Sequence, residues 1–247
     1  MEISLQCKTL NDKLPVDYRS GIISLCKYAL TSARDGRYFE QYYGVTGRRP
    51  FTFAVKLPEP KFFTDDIILG KNELFITIST SDTRTGSILM SAFLAQLNKP
   101  FALPLGNTLT VTKVIRHNSK AVSGSAAVIK MLSPLCLREH NAETNSDVYI
   151  SVADENFRSR AKKILMEQLL TDGFSKTMAQ EVELVPMNAR KTVVRHYDCQ
   201  IECSLGMFVI HANKAVINYL LQNGLGSRKS SGFGFARLIS EGEEAVS

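Results

Sequence analysis

A chain of 247 residues with a 44% hydrophobic and 22% charged share has the balance of an ordinary globular protein, long enough for one large domain or two small ones. No stretch approaches the run of about 20 apolar residues that a membrane span needs, and MEISLQCKTL, with its early acid, does not read as a secretory leader. A cytoplasmic protein is expected, and its net charge of +6 leans toward a polyanionic partner.

In chain order, 2–10 alternates as a strand, and 13–17, with its proline, reads as a turn. Ile22, Leu25, Cys26 and Ala29 fall at helical spacing and predict a helix over 18–33, which Gly36 allows to stop. PFTFAVKL (50–57) and ELFITIST (73–80) are rich in aromatic and β-branched residues and read as strands, separated by Pro58 and Pro60. A helix over 86–97 and a strand over 109–115 complete the order β-α-β-β-α-β, the ferredoxin-like arrangement.

The polar stretch 118–125 marks a junction, after which the same order can be read again. A strand over 126–137 is interrupted by Pro134, and 142–147 reads as a polar loop. The helix over 153–170 carries Arg158, Arg160, Lys162 and Lys163 between its apolar positions. Stretches 182–185 and 191–197 are extended, and the strand over 200–210 has its turn near DCQI. A short helix over 213–221 and a strand over 233–239 close the chain. The expected fold class is α+β, with two tandem ferredoxin-like domains over 1–118 and 125–247.

Five cysteines (Cys7, Cys26, Cys136, Cys199, Cys203) form no C-x-x-C pair, and four histidines are scattered, so reduced and mostly buried thiols, no metal site and no cofactor are expected. The stretch GLGSRKSSGFGF (224–235) stands apart. Gly224, Gly226, Gly232 and Gly234 permit positive φ and close backbone approach, and turn amides beside Ser227, Arg228, Lys229, Ser230 and Ser231 can face a phosphate. Neither a Walker loop nor a dinucleotide fingerprint fits, because the context is helix-loop-strand. The competing expectation is a tight structural turn whose Phe233 and Phe235 fill the core.

NGLGSRKSSGFGFARL resembles the C-terminal glycine-rich signature of the CRISPR repeat-processing endoribonucleases of the repeat-associated mysterious protein superfamily. LPVDYRSGIISLCKYAL (14–30), RRPFTFAVKL (48–57) and IKMLSPLCLRE (129–139) resemble further landmarks of that family in the same order. The resemblance implies a double ferredoxin-like protein that binds the repeat of a precursor CRISPR transcript and cuts it without a metal. The ribose 2′-hydroxyl would attack its own phosphate, leaving a 2′,3′-cyclic phosphate and a 5′-hydroxyl. A repeat-binding relative without cleavage, or an effector-complex subunit, is the alternative, and dimerisation and association with an effector complex stay open.

The family's usual histidine is absent from RYFEQYYGVTGRRPFTF. By placement, Tyr43 or Tyr42 stands where that histidine is expected, Tyr28 matches the helix tyrosine, and Arg49 or Arg48 the basic residue. The implied catalytic set is Tyr28, Tyr43 and Arg49. A tyrosine can donate a proton to a leaving oxygen but is a poor base at neutral pH, so alignment of the reacting atoms would carry much of the rate. RNA contacts are expected from Arg48, from Arg190, Lys191, Arg195 and His196 on RKTVVRHYD, and from Gly226 to Gly232 with Gly234 in the flexible basic loop. His196 is the best substitute proton carrier, although a surface or RNA-facing role is preferred for it. The basic positions of the 153–170 helix form a second candidate patch.

Overall fold

A computed structural model describes residues 1–33, 36–44, 49–118 and 120–242. The chain divides into two compact units, one of Met1–Asn118 with Arg195–Cys199 and one of Ser119–Val194 with Gln200–Ser247. Among the described residues no helix is long and apolar enough to cross a membrane.

In the first unit, β1 (Glu2–Thr9) buries Ile3, Leu5, Cys7 and Thr9 on one face, the period of two that its sequence dictates. It lies centrally in an antiparallel sheet of order β3-β6-β1-β8-β7, with β3 (Thr52–Lys56), β6 (Glu73–Ser79), β7 (Pro100–Leu103) and β8 (Asn107–His117). Two helices cover its apolar face: α1 (Tyr18–Thr31), through Ile22, Leu25, Cys26 and Ala29, and α3 (Thr83–Leu94), through Ile88, Leu89, Ala92 and Phe93. Between them, the short α2 (Arg37–Phe39) runs into a π-helical turn, Glu40–Gly44. The expected turn at 13–17 is instead a strand, β2 (Lys13–Pro15). It pairs with β5 (Asp66–Ile68), and β5 with β4 (Lys61–Phe62), in a three-stranded sheet that the proline-rich linker had masked.

The second unit repeats this order. An antiparallel sheet β12-β13-β9-β14 is built from β9 (Ala126–Met131), β12 (Glu183–His196), β13 (Cys199–His211) and β14 (Ala236–Glu241). It packs with α4 (Phe157–Thr171), the five-residue α5 (Lys176–Gln180) and α6 (Lys214–Asn223) around Ile129, Phe208, Leu165 and Leu220. Numbered within its unit, each sheet places its main strands in the order two, three, one, four. The strand expected over 126–137 breaks at Pro134 into β9 and β10 (Leu137–Asn141). β10 pairs with β11 (Ser146–Ile150) as a separate hairpin. The two extended stretches at 182–197 are the single strand β12. Its turn is not DCQI but Tyr197–Asp198, both at positive φ (47° and 61°), the conformation of a tight two-residue hairpin turn. Four of the five cysteines are buried thiols, and Cys199, beside that turn, is exposed.

Candidate functional site

Asp17 organises one end of the first unit. As N-cap of α1 it accepts the Ser20 amide through Oδ1 at 3.4 Å, a capping role for which aspartate is among the best residues. The same carboxylate receives His196 Nδ1 on Oδ1 at 2.9 Å and the Tyr197 amide on Oδ2 at 3.0 Å. Burial pushes the Asp17 carboxyl upward, but these hydrogen bonds outweigh it and hold it below its ordinary value. His196 is 1% exposed. It is therefore not a surface residue: strand alternation puts it on the same inward face as buried Val194. Its neighbour Arg195 points outward and pairs with Asp65 at 2.8 Å and Asp198 at 3.6 Å.

The π-helical turn separates the two candidate tyrosines. Tyr42 turns inward, its hydroxyl 2.8 Å from Thr85 Oγ1, which donates to the α3 cap Asp82 at 2.5 Å. Tyr43 lies beside two cations, with Arg49 Cζ 4.2 Å and Lys27 Nζ 5.3 Å from its ring centroid, and stacks on Phe39. Arg49 is itself anchored by donating Nε to the Tyr42 carbonyl at 2.8 Å. The Tyr43 hydroxyl is buried and has no hydrogen-bond partner among the described residues. Burial, seconded by Cys26, drives its pKa far up against the opposing pull of Arg49. Tyr43 is thus a neutral phenol, a donor and not a base. A buried hydroxyl without a partner is uncommon in folded proteins and calls for a reason.

Tyr28 does not join this group. It is 47% exposed and packs on Phe101 of β7 at 5.4 Å. One residue is about 100° of helix, so the α1 side chain over Tyr43 is Lys27. Arg48 lies outside the described residues.

In the second unit the glycine-rich loop is packed into the domain: none of residues 224–235 is exposed. Leu225, Phe233 and Phe235 are buried. Gln168 of α4 clamps its backbone, accepting from the Gly226 amide at 2.8 Å and donating to the Gly224 carbonyl at 3.0 Å. The Ser227 amide goes to the Cys136 carbonyl and the Gly234 amide to the Pro134 carbonyl, both at 2.8 Å. The amides of Ser231 and Gly232 close a 3₁₀ turn over Lys229–Ser231. These N–H groups are committed inside the protein and do not form the phosphate cradle that the sequence suggested. The basic side chains of the loop are engaged as well. Lys229 is nearly buried, 3.6 Å from Asp172. Arg228, in the left-handed region at φ 56°, reaches Tyr149 Oη at 2.7 Å.

Of the basic strand, Arg190, Lys191 and Arg195 are exposed, and Lys191 pairs with Glu202 at 2.5 Å. The α4 patch is largely self-neutralised, Arg160 bridging Glu139 and Asp154 and Lys162 pairing with Glu183. Among the described residues no group of three or more His, Cys, Asp and Glu is arranged to hold a metal ion.

Residues 117–238 match the family model for the C-terminal part of the CRISPR associated protein Cas6. Over that stretch, just under half of its length, the chain resembles the C-terminal part of Cas6. The fold extends the likeness over the whole length. A Cas6-related gene product from Pyrococcus furiosus superposes with a TM-score of 0.82 at 18% identity, covering 98% of this chain and 99% of that one. A RAMP protein binding different RNA substrates gives 0.81 at 19% identity, over 97% and 100%. A CRISPR associated protein Cas6 gives 0.74 at 16% identity, over 97% and 99%. No curated protein sequence matches. The Cas6 match contains the glycine loop and the basic strand, whereas Tyr43, Arg49, Lys27 and Asp17 lie before it. Sequence reasoning missed Asp17 and Lys27. An aspartate immediately before the helical stripe was the available signal for the first; nothing in the sequence marked the second.

Proposed function

We propose that this Cas6-type chain processes RNA as two tandem ferredoxin-like units, binding the repeat of a precursor CRISPR transcript and cutting it slowly without a metal. The strand order common to both sheets supports the domain reading. The observation that carries the functional one is Tyr43, a neutral phenol beside Arg49 and Lys27 whose hydroxyl has no partner among the described residues. In this reading the ribose 2′-hydroxyl upstream of the cut attacks the adjacent phosphorus, Arg49 and Lys27 offset the charge of the phosphorane, and Tyr43 protonates the departing 5′-oxygen. The products are a 2′,3′-cyclic phosphate and a 5′-hydroxyl. Among the described side chains that contact Tyr43, which are Phe39, Lys27 and Arg49, none accepts a proton readily near neutral pH, so positioning supplies most of the rate.

That same lack favours a second reading, a protein that holds repeat RNA without cutting it. Tyr43→Phe separates the two. Because the hydroxyl has no partner among the described residues, its removal is expected to leave the unfolding free energy within about 0.5 kcal/mol of wild type. If the phenol is the proton donor, single-turnover cleavage of repeat RNA falls roughly 100-fold or more. Unchanged cleavage in Tyr43→Phe removes Tyr43 from the chemistry, and absent cleavage in both proteins, with repeat binding retained, establishes the holder.

A further inference from the structure

The β10–β11 hairpin carries a cluster that the cleavage reading does not use. Arg138 and His140 alternate onto one face of β10, opposite Tyr149 and Asp147 of β11 in the register Arg138↔Tyr149 and His140↔Asp147. The Asp147 carboxylate accepts Arg138 Nη1 at 3.0 Å, His140 Nδ1 at 2.9 Å and the Tyr149 hydroxyl at 3.3 Å. Arg228 comes from the glycine loop to the same point: its Nη2 donates to Tyr149 Oη at 2.7 Å and stands 3.7 Å from Asp147 Oδ2. Glu139, on the same hairpin, is committed to Arg160 at 2.8 Å. One carboxylate therefore serves two guanidinium groups and an imidazole.

Two features distinguish this from a surface ion pair. Arg228 adopts a left-handed backbone at φ 56°, a conformation that a non-glycine residue keeps only when its surroundings enforce it. Its Nε is buried and has no hydrogen-bond partner among the described residues, so the guanidinium is engaged at one corner only. Positive charge and donor capacity both exceed what Asp147 can satisfy.

We propose that Arg138, His140 and Arg228 form a binding site for a backbone phosphate of RNA, with Asp147 as the internal counter-ion that the phosphate displaces. The proposal rests on the reading of the chain as an RNA-binding protein. A phosphodiester carries one negative charge and two free oxygens, so it replaces the carboxylate charge for charge and accepts the forked guanidinium contacts. Until it arrives, Asp147 keeps the cations aligned and lowers the local positive potential. A strand that places no phosphate here gains little from them. Asp147 is therefore a positioning residue that trades affinity for selectivity.

The test is a titration of the full-length protein with labelled repeat RNA and with a scrambled single strand of equal length, across a salt series. Asp147→Asn is expected to tighten binding of the scrambled strand several-fold, on the order of 3- to 10-fold, and to steepen the slope of log K against log salt by about one. Repeat RNA should gain less, so the ratio between the two falls. Arg138→Gln should weaken both and flatten the slope by about one. Binding and slopes unchanged in either variant, or weaker binding by a folded Asp147→Asn protein, would overturn the site. A wild-type protein with no preference for the repeat would contradict the repeat-processing reading instead, and the slopes on the scrambled strand would still decide this one.

Discussion

Gly234→Ala is expected to cost about 3 kcal/mol or more of stability. Gly234 has φ 73°, and a Cβ there would lie 2.0 Å from the Leu225 carbonyl oxygen and 3.1 Å from Leu225 C and N. Those are backbone atoms that cannot swing away. Moving them would break the Leu225 amide bond to the Gly234 carbonyl at 2.9 Å and the Gly234 amide bond to Pro134 at 2.8 Å. Two terms add: left-handed strain, and a forced opening of the loop around buried Phe233 and Phe235. Gly173→Ala supplies the comparison, because Gly173 also has positive φ, at 93°, but nothing lies within 4 Å of its Cβ position. Only the strain term applies there, about 1 kcal/mol. Urea denaturation of both variants measures the difference. If Gly234→Ala is no costlier than Gly173→Ala, the loop is not the packed element described here.

Asp17→Ala is expected to cost about 3 kcal/mol, because a single carboxylate caps α1 and holds both His196 and the Tyr197 amide. The loss is expected to be local as well as global, so hydrogen exchange at the Tyr197 amide should accelerate relative to the β6 amides. Asp17→Asn keeps an acceptor and is expected to recover part of the stability. It should also flatten the acid limb of the stability curve. Asp17 has a folded pKa below its ordinary 3.8. Its contribution is therefore complete above the unfolded value and is lost as pH falls from about 3.8 through the folded value beneath it. An acid limb identical in wild type and Asp17→Asn, together with unchanged exchange at Tyr197, would show that Asp17 does not secure the hairpin tip.

The main elements were legible because their burial is one-sided. Alternation in β1 and the Ile22, Leu25, Cys26, Ala29 stripe of α1 each encode a face, and the face sets the element. What failed was short or long-range. β4, β5, β7 and α5 have two to five residues, too few for a period to register, and β5 also pairs with the distant β2.

The site was read less well, for related reasons. Tyr28 matched by placement along the chain, but helical rotation gives the place over Tyr43 to Lys27. His196 stood in a basic run that suggested a surface, although the apolar Val194 two residues earlier already marked its face as the inner one. Four glycines suggested mobility in the loop. Leu225, Phe233 and Phe235, interleaved with them, were the evidence for packing, and Gly226 and Gly234 are needed because backbones approach there too closely for a Cβ. The partners of Arg228 and Lys229, at Tyr149, Asp147 and Asp172, lie more than fifty residues away, where no local pattern could reveal them.

The central claim is that this chain cuts repeat RNA by the RNA's own 2′-hydroxyl. End-group analysis tests it most directly, with repeat RNA incubated in excess chelator as an all-ribose strand and as one carrying a single 2′-deoxy nucleotide at the cut. The account predicts slow cleavage of the first to 2′,3′-cyclic phosphate and 5′-hydroxyl ends, and none of the second. Cleavage of the deoxy strand, or 3′-hydroxyl and 5′-phosphate ends, would contradict it.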